Sequence, residues 1–295
     1  MKTHSPINPD IELESFLTCV DYTVSRETFN LLLDKKSDLL VTFPQPNEKD
    51  LTKYYESDAY ISHTDSSKTL IDKIYQFVKK YAIQNKVRLI RNLSLNNNKE
   101  IQVLDVGCGT GDFLVACKNN QMQVVGVEPN KNARSIAESK LKNAVFSTIY
   151  DLPESQKYDV ITLWHVLEHV PDLEKYTIKL KELLKKDGIL IIAVPNYKSF
   201  DAMYYKEFWA AYDVPRHLWH FSKKSISDLF QKVQLKVVSI KPMLFDSFYV
   251  SLLSEKYKTG KSNLFKAFFI GLKSNLLAKS SKEYSSHIYI LKNKK

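Results

Sequence analysis

The chain has 295 residues, 44% of them hydrophobic, enough for one large domain with an appendage or for two small ones. No apolar run reaches the ~18 residues of a membrane span, the polar N-terminus lacks a signal-peptide core, and the cysteines form no spacing pattern, so we expect a cytoplasmic protein. The formal net charge of +10 comes almost entirely from lysine, which does not favour a nucleic-acid-reading surface, because such surfaces rely on arginine.

The first 65 residues are the least regular part of the sequence, and we predict that they extend the main domain. Short strand-like runs lie between residues 16 and 43. Residues 51–63 (LTKYYESDAYISH) are rich in tyrosine and precede an apolar stripe that predicts a helix from Lys68 to about Arg91. Tyrosines such as Tyr60 either pack this segment on the domain or form a lid over a ligand, and the sequence favours neither.

A strand, a glycine turn and a helix start follow one another at residues 101–117. The mostly apolar run 101–106 predicts a buried parallel strand, and Gly107, Gly109 and Gly111 follow it at alternate positions. Such a turn lets backbone N–H groups approach a ligand closely. A tight turn without a ligand would also use glycine, so the motif alone does not decide the matter.

Two acidic residues indicate which ligand this turn would hold. Glu128 ends the next predicted strand, about 20 residues beyond the glycines, where doubly wound sheets bind a ribose diol. Asp105 precedes the glycines and suits a cationic group such as an amine. Asp112 stands where a dinucleotide-binding motif has its third glycine, which disfavours a pyrophosphate. An amine and a ribose diol without a diphosphate describe S-adenosylmethionine.

Three runs of sequence resemble the class I S-adenosylmethionine-dependent methyltransferases. They are LDVGCGTGDFL at 104–114, VVGVEPN at 124–130 and YDVITLWHVLEHVPD at 158–172, in the order and spacing of that family. The resemblance is close over residues 100–241 and loose elsewhere. It implies an α/β fold with a Rossmann-like, doubly wound, seven-stranded sheet whose last strand is antiparallel, and S-adenosylmethionine as the cofactor.

The resemblance also implies which residues contact the cofactor. These are Asp105, Gly107, Cys108, Gly109, Gly111, Glu128, Pro129, Thr148, Ile149, Trp164 and His165, with Tyr60 contributed by the tyrosine-rich segment.

Strand and helix patterns alternate through the rest of the chain, as in a doubly wound sheet. The predicted strands are 101–106, 123–128, 144–148, 158–163, 189–194, 235–240 and 287–291, and the predicted helices are 111–119, 131–141, 171–186 and 222–233. We therefore predict one methyltransferase domain over residues 66–295, with helical insertions at about 195–221 and 245–279.

The N-terminal segment resembles the small zinc ribbon that precedes this domain in some relatives. Asp34 and Ser37 occupy the places of the second cysteine pair, and only Cys19 is left of the first. A tetrahedral zinc site needs about four good ligands, so we predict that this segment holds no metal.

His165, Glu168 and His169 follow the fourth predicted strand, and three roles are open for them. Much of the family carries an H-x-L-E-H run here, which implies that these residues brace loops around the cofactor. His165 or His169 could instead be a general base, since imidazole accepts a proton near neutral pH. Ubiquinone-pathway O-methyltransferases and small-RNA 2′-O-methyltransferases bind a divalent ion through E-x-x-E-H, but His165 replaces the first Glu and disfavours Mg²⁺. We rank the structural role first, the base second and the metal last.

The first insertion carries a further group of polar and aromatic residues. It follows the carboxyl end of a strand, where open α/β sheets bind ligands, and relatives with a D-x-P-R-H-L run place it here. One interpretation is a self-packed subdomain in which Arg216 pairs with Asp213; we favour contact with the substrate. The candidate substrate contacts are Trp209, Tyr212, Asp213, Arg216, His217 and His220. His217 is our first choice of base, because Arg216 would keep its imidazole neutral.

The sequence therefore predicts a methyltransferase that acts on a small molecule, favouring oxygen as the acceptor atom. The alternatives are a nucleic-acid or protein methyltransferase, and a cofactor-binding protein without catalysis. No specific nucleic-acid partner is expected. Residues 264–278 are amphipathic, and they either pack on the domain's own sheet, which we favour, or contact a membrane surface weakly.

Overall fold

The computed structural model describes residues 4–47, 50, 52–55, 70–94 and 100–294, so most of the tyrosine-rich segment, with Tyr60, lies outside the described residues. The described residues fall into two compact units. The first takes its residues from 4–62, 165–176 and 192–290, and the second from 63–164, 177–191 and 291–294.

The elements run in chain order as follows: β1 (Glu14–Val20), β2 (Thr28–Asp34), β3 (Leu39–Phe43), α1 (Leu70–Leu93), β4 (Gln102–Val106), α2 (Asp112–Asn119), β5 (Gln123–Val127), α3 (Lys131–Leu141), β6 (Val145–Phe146), β7 (Tyr158–Trp164), α4 (Leu173–Leu183), β8 (Leu184–Pro195), α5 (Phe200–Tyr205), β9 (Trp219–His220), α6 (Lys223–Gln231), β10 (Leu235–Pro242), α7 (Asp246–Thr259), α8 (Leu264–Ser281) and β11 (Ser286–Asn293).

The larger sheet has seven strands in the order β10-β11-β8-β7-β4-β5-β6. Strand β4 runs parallel to β5 and β7, and β5 runs parallel to β6. Val103, Leu104 and Val106 of β4 are at most 1% exposed, as expected of a central parallel strand covered on both faces. The predicted Rossmann-like, seven-stranded mixed sheet is confirmed.

The smaller sheet joins two parts of the chain that the sequence did not connect. Its order is β1-β2-β3-β9, and β9 pairs antiparallel with β3 through Leu40 opposite His220 and Val41 opposite Trp219. The N-terminal strands and the end of the first insertion therefore belong to one sheet.

A buried carboxylate, Asp34, lies at the end of β2. Asp34 accepts hydrogen bonds from the hydroxyls of Ser5 (2.5 Å) and Ser37 (2.6 Å) and from the amide of Asn8 (2.8 Å). Burial raises the pKa of Asp34, but these hydrogen bonds outweigh it and hold the pKa below its usual value. Cys19 of β1 lies opposite Phe29 of β2, and it is not one of these hydrogen-bond partners of Asp34.

Two of the differences between the prediction and the structure have a clear physical reason. The helix expected to reach Lys186 ends at Leu183, and β8 begins at Leu184. The Asn293 side chain donates to the carbonyls of Lys185 (3.1 Å) and Lys186 (2.7 Å), so these carbonyls bond to the last strand instead of continuing a helix.

The second difference concerns α8, which covers the amphipathic segment. The expectation that its large apolar side chains pack on the domain's own sheet is wrong, because Phe265, Phe268 and Phe269 are all exposed. No helix in the described part of the chain combines the length and the apolar character that crossing a bilayer would require.

Candidate functional site

The glycine turn after β4 adopts a backbone that other residues rarely tolerate. Gly107, Gly109 and Gly111 have φ values of 72°, 54° and 80°, in the left-handed region where a Cβ is costly. The N–H groups of Gly107 and Cys108 donate to the Val127 carbonyl at 2.7 and 3.0 Å, which ties the turn to the end of β5. A Cβ at Gly109 would meet no atom within 4 Å, so open space lies beside the backbone there. A ligand can approach these peptide groups directly.

Glu128 follows β5 and orients its carboxylate toward this turn. One oxygen accepts the Gly109 N–H at 2.9 Å and the other accepts the Asn130 N–H at 2.9 Å. An ionised carboxylate has about four lone-pair positions, so two remain for a ligand hydroxyl. Glu128 is half-buried, so a ligand can reach it.

Asp105 is a buried carboxyl group in β4, only 2% exposed. Its Oδ1 accepts the Thr162 hydroxyl at 2.6 Å, from the position directly opposite on β7. Burial raises the pKa of Asp105 to about 7, against the opposing effects of Thr162 and the Lys86 charge. A cationic ligand group would restore the charged form and gain an ion pair in a buried place.

Trp164, at the end of β7, has a buried indole donor. Its Nε1 is buried and finds no hydrogen-bond partner among the described residues, although buried donors are rarely left unpaired. Lys86 of α1 lies over the indole, with Nζ 4.2 Å from the ring centroid. This donor, like Asp105, is suited to a ligand.

The other predicted cofactor contacts have local partners. Burial raises the pKa of the Cys108 thiol far above its usual value. A Cβ added at Gly126 would lie only 2.8 Å from Cys108 Sγ, so the thiol occupies the space beside this glycine. The Pro129 carbonyl accepts from Arg134, the Thr148 hydroxyl accepts from the Tyr150 N–H, and Ile149 is 1% exposed. These contacts show how each residue is held without showing a ligand role.

His165 belongs to the first unit, and it is held between two carboxylates. Its Nδ1 lies 3.2 Å from Glu168 Oε1 and its Nε2 lies 3.0 Å from Asp246 Oδ2. Burial lowers its pKa, but Asp246 and Glu168 outweigh burial and raise the pKa to about 10. The suggestion of His165 as a base is therefore corrected, since an imidazolium has no lone pair to accept a proton.

His169 and His217 each donate one ring nitrogen to a backbone carbonyl. Nδ1 of His169 lies 3.0 Å from the Arg216 carbonyl, and Nδ1 of His217 lies 2.9 Å from the Ala211 carbonyl. A carbonyl only accepts, so each ring carries a proton on Nδ1, and in its neutral form the ring has its lone pair on Nε2. The rings meet edge to face, with centroids 4.6 Å apart. Burial and the His217 charge lower the pKa of His169 to about 4, so His169 is neutral at physiological pH.

Glu168 completes this group with an orphaned oxygen. Its Oε2 is buried and has no hydrogen-bond partner in the described part of the chain. One ligating atom from each of Glu168, His169 and His217 lies within 4.8 Å of the others. Two imidazoles and one carboxylate could receive a proton or hold a metal ion.

Arg216 is fully engaged within the first unit, contrary to the expected substrate contact. Its Nε and Nη2 donate to Asp213 at 3.0 and 2.6 Å, and Nη1 donates to the Tyr54 carbonyl at 2.9 Å. Nη2 also donates to Asp21 (3.0 Å) and Thr23 (2.8 Å). The guanidinium is 3% exposed, and its charged partners are the carboxylates of Asp21 and Asp213.

The remaining substrate candidates lie in the packed core of the first unit. Trp209 donates from Nε1 to Asp201 at 2.8 Å, and its ring meets Tyr212 edge to face at 5.0 Å. His220 Nε2 lies 3.0 Å from the Thr42 hydroxyl of β3. They are buried because the first insertion packs against the N-terminal sheet, which the sequence did not reveal. His217, 9% exposed, is the candidate whose basic nitrogen is not used in packing.

Comparison with known proteins decides the family. Residues 72–240 match the family model described as "Methyltransferase domain", which is more than half of the chain. The chain belongs to this family. S-adenosylmethionine is the cofactor of the family.

Relatives of this methyltransferase-domain chain include enzymes of quinone biosynthesis. The chain is 28% identical over 112 residues to a ubiquinone/menaquinone biosynthesis C-methyltransferase of Campylobacter jejuni, covering 35% of this chain and 48% of that protein. It is 24% identical over 213 residues to a ubiquinone biosynthesis O-methyltransferase of Rickettsia typhi, covering 68% and 84%. The chain thus spans about half the length of the C-methyltransferases it matches.

Among solved structures, magnesium protoporphyrin IX methyltransferase of Synechocystis PCC 6803, with bound S-adenosylhomocysteine, superposes with a TM-score of 0.54. The identity is 15%, over 84% of this chain and 100% of that one, so the likeness shows the fold alone.

The residues at the ends of β4, β5 and β7 fit S-adenosylmethionine. Asp105 suits its ammonium, Glu128 its ribose hydroxyls and the turn at Gly109 a close backbone approach. Two partners escaped the sequence analysis. Thr162 could have been found from the β4–β7 register, whereas nothing in the sequence connects Asp246 to His165.

Proposed function

We propose that this protein is an S-adenosylmethionine-dependent methyltransferase that acts on a small-molecule acceptor, with oxygen as the favoured acceptor atom. The observation that carries the proposal is the combination of buried Asp105, the left-handed glycine turn and Glu128. Family membership and the O-methyltransferase among the relatives support it. The cofactor supplies a methyl group on a sulfonium, and the enzyme's main task is to position reactants and exclude water.

On the cofactor side, each role follows from the local chemistry. Asp105 and the turn hold the methionine end, and Glu128 accepts hydrogen bonds from the ribose hydroxyls. Trp164 Nε1 donates to the cofactor, which would satisfy its buried N–H. Cys108 and Pro129 shape this end of the site, and Thr148 and Ile149 contact the adenine.

On the acceptor side, His217 is the proposed general base. Its Nδ1–H is fixed on the Ala211 carbonyl, so Nε2 is the atom that takes the acceptor proton. Asp213 Oδ2 lies 4.0 Å from this Nε2 and would stabilise the imidazolium that forms. Residues 197–221 then form the acceptor side of the active site. His217 acts on the acceptor, and Trp209, Tyr212 and Arg216 hold this histidine in place.

Calorimetry with S-adenosylhomocysteine tests the cofactor roles. Glu128→Ala is expected to weaken binding by about 1–3 kcal/mol, because it removes a charged hydrogen-bond acceptor. Glu154→Ala is the matched control, since Glu154 is an exposed acid in the same unit and should leave affinity unchanged. Failure of the wild type to bind S-adenosylmethionine or S-adenosylhomocysteine would overturn the proposal.

Assays of methyl transfer distinguish the proposed function from its two alternatives. A cofactor-binding protein without catalysis would bind in the calorimeter and release no S-adenosylhomocysteine with any hydroxylated acceptor. A nucleic-acid or protein methyltransferase would turn over with RNA, DNA or peptides and not with small molecules.

We also propose that the N-terminal segment, residues 1–65, is a ribbon-like extension that has lost its metal, and that residues 66–295 form the methyltransferase domain. The support is the Asp34 group, where hydrogen bonds from Ser5, Asn8 and Ser37 take the place of metal bonds. A weak membrane-surface contact through residues 264–278 is proposed as well.

A further inference from the structure

Helix α8 buries small side chains, and it approaches α7 closely at Gly271. The buried residues are Ala267, Gly271, Ser274 and Ala278 on α8 and Ser247, Val250, Ser251, Ser254 and Glu255 on α7. A Cβ at Gly271 would lie 2.9 Å from the Phe248 ring and 3.0 Å from its backbone, and the Ser247 hydroxyl donates to the Gly271 carbonyl at 3.1 Å. The backbones therefore approach closely at Gly271, and beside this contact the Phe248 ring of α7 stacks on Phe268 of α8, with centroids 5.4 Å apart.

The large side chains of α8 lie on the opposite side, which we call the outer face. It consists of Leu264, Phe265, Phe268, Phe269, Leu272, Leu276 and Leu277. Phe265 is 82% exposed and Phe269 is 64% exposed. A helix of a globular protein ordinarily buries such residues, whereas α8 exposes them over its full length. A contiguous exposed apolar face of this kind marks an interaction surface.

The segment that contains α7 and α8 is rich in positive charge. Residues 246–282 contain seven lysines and two acidic residues. Asp246 is paired with His165, and Glu255 is 1% exposed with Lys266 3.1 Å away. The charge that α7 and α8 offer to a partner is therefore positive, from lysines such as Lys256, Lys261 and Lys279.

We propose that the outer face of α8 inserts into the headgroup region of an anionic lipid bilayer, with the surrounding lysines on the lipid phosphates. Exposed phenylalanine and leucine beside lysine is the composition that binds such interfaces. A second copy of the chain fits less well, because a symmetric contact would bring the lysine-rich surfaces of two copies together. The inference deepens the membrane-surface contact proposed above by naming the face that inserts and the charge of the lipid, and it depends on neither the cofactor nor the acceptor.

Vesicle sedimentation tests the inference with the full chain. Wild type is mixed with vesicles of phosphatidylcholine alone and of phosphatidylcholine with phosphatidylglycerol. We expect binding at least about tenfold stronger to the anionic vesicles, because several lysines lie near the surface. Phe265→Ser with Phe269→Ser should abolish this binding, and Lys256→Gln with Lys261→Gln should weaken it by about tenfold or more.

Two control variants make the same kinds of substitution at positions outside α8. Ile136→Ser with Ile178→Ser removes two exposed apolar side chains, and Lys131→Gln with Lys186→Gln removes two exposed charges. Both double variants should bind anionic vesicles like the wild type, and thermal melting checks that all variants fold.

Two results would overturn the inference. One is wild-type binding that is absent, or equal for neutral and anionic vesicles. The other is a wild-type dimer in sedimentation velocity that Phe265→Ser with Phe269→Ser converts to monomer without any vesicle binding, which would make the outer face a contact between copies. Calorimetry with S-adenosylhomocysteine is unaffected by either result, so the proposed function stands or falls separately.

Discussion

At the scale of single residues, neighbours decide the protonation state of each histidine around Glu168. His165 faces two carboxylates, which raise its pKa to about 10. His169 faces another histidine in a buried place, which lowers its pKa to about 4. The first is therefore a fixed cation and the second a neutral ring, although they lie four positions apart in the chain.

His217→Ala is expected to slow turnover by about 10²-fold or more at neutral pH when the acceptor must lose a proton, since a general base contributes that much. Affinity for S-adenosylhomocysteine should stay within a few-fold. Steady-state kinetics and calorimetry measure the two quantities, with His4→Ala, an exposed histidine, as the control. Full activity of His217→Ala together with an inactive His169→Ala would move the base to His169. Full activity of both would mean that no base is needed.

Asp246→Asn should remove a pH-dependent part of the stability. The pKa of His165 is raised above its unfolded value, so its ion pairs stabilise the fold fully below about pH 6.5, and this contribution is lost as pH rises through about 10. The difference in free energy of unfolding between wild type and variant is expected to be about 1 kcal/mol at pH 6, a value suited to a partly exposed pair, and to shrink by pH 10. Urea titrations at several pH values measure it. A difference that grows with pH would contradict the assignment of His165 as a cation.

At the scale of elements, a buried ion pair fastens the turn after β1 to the first insertion. Asp21 accepts the N–H groups of Thr23 and Ser25 and also pairs with Arg216, whose other carboxylate partner is Asp213. The same residues that looked like substrate contacts in the sequence therefore hold β1 and residues 213–216 together. His217 follows Arg216 directly, so this pair also helps to position the proposed base.

Asp21→Ala is expected to lower the free energy of unfolding by about 3–5 kcal/mol, because it leaves the Arg216 charge buried with one partner fewer. The side chains of Asp21 and Arg216 are 0% and 3% exposed, so water cannot replace the lost contact. Urea denaturation measures the change, and Asp10→Ala, at an exposed aspartate, serves as the control. A loss no larger than that of the control would show that the pair is not a stabilising link.

At the scale of the whole molecule, the prediction is that the protein carries no stoichiometric metal. Among the described residues, Glu168, His169 and His217 form the one group of three ligating side chains. The His165 cation neutralises Glu168, which leaves this group little negative charge to attract a divalent ion, and the Asp34 group has no cysteine.

Elemental analysis of protein purified without a metal-affinity tag should therefore find well below one equivalent of zinc, nickel or iron. One equivalent of any of these would contradict the prediction. His169→Ala would then show whether the ion belongs to this group, and the two histidines would be metal ligands instead of proton acceptors.

Much of the fold and of the cofactor side could be predicted because the signals are contiguous in sequence. A buried strand, alternate glycines and a helix start specify the turn at Gly107–Gly111 locally, and Glu128 lies one helix and one strand further on. The parallel pairing of β4 with β5 then brings the turn and Glu128 together, as the bond from the Gly109 N–H shows. The acceptor side could not be predicted in this way, since its residues owe their roles to distant partners.

The sequence by itself determined the alternation of strands and helices, the glycine turn and the acid that faces it, because each depends on neighbours along the chain. Only the tertiary structure decided that Arg216 forms an ion pair with Asp21 and that His165 is held between Glu168 and Asp246. It also decided that β9 completes the N-terminal sheet. It also decided the orientation of α8: an amphipathic pattern defines two faces, but which one is buried depends on the helix packed against it. Small residues facing α7 settled that choice and turned the phenylalanines outward.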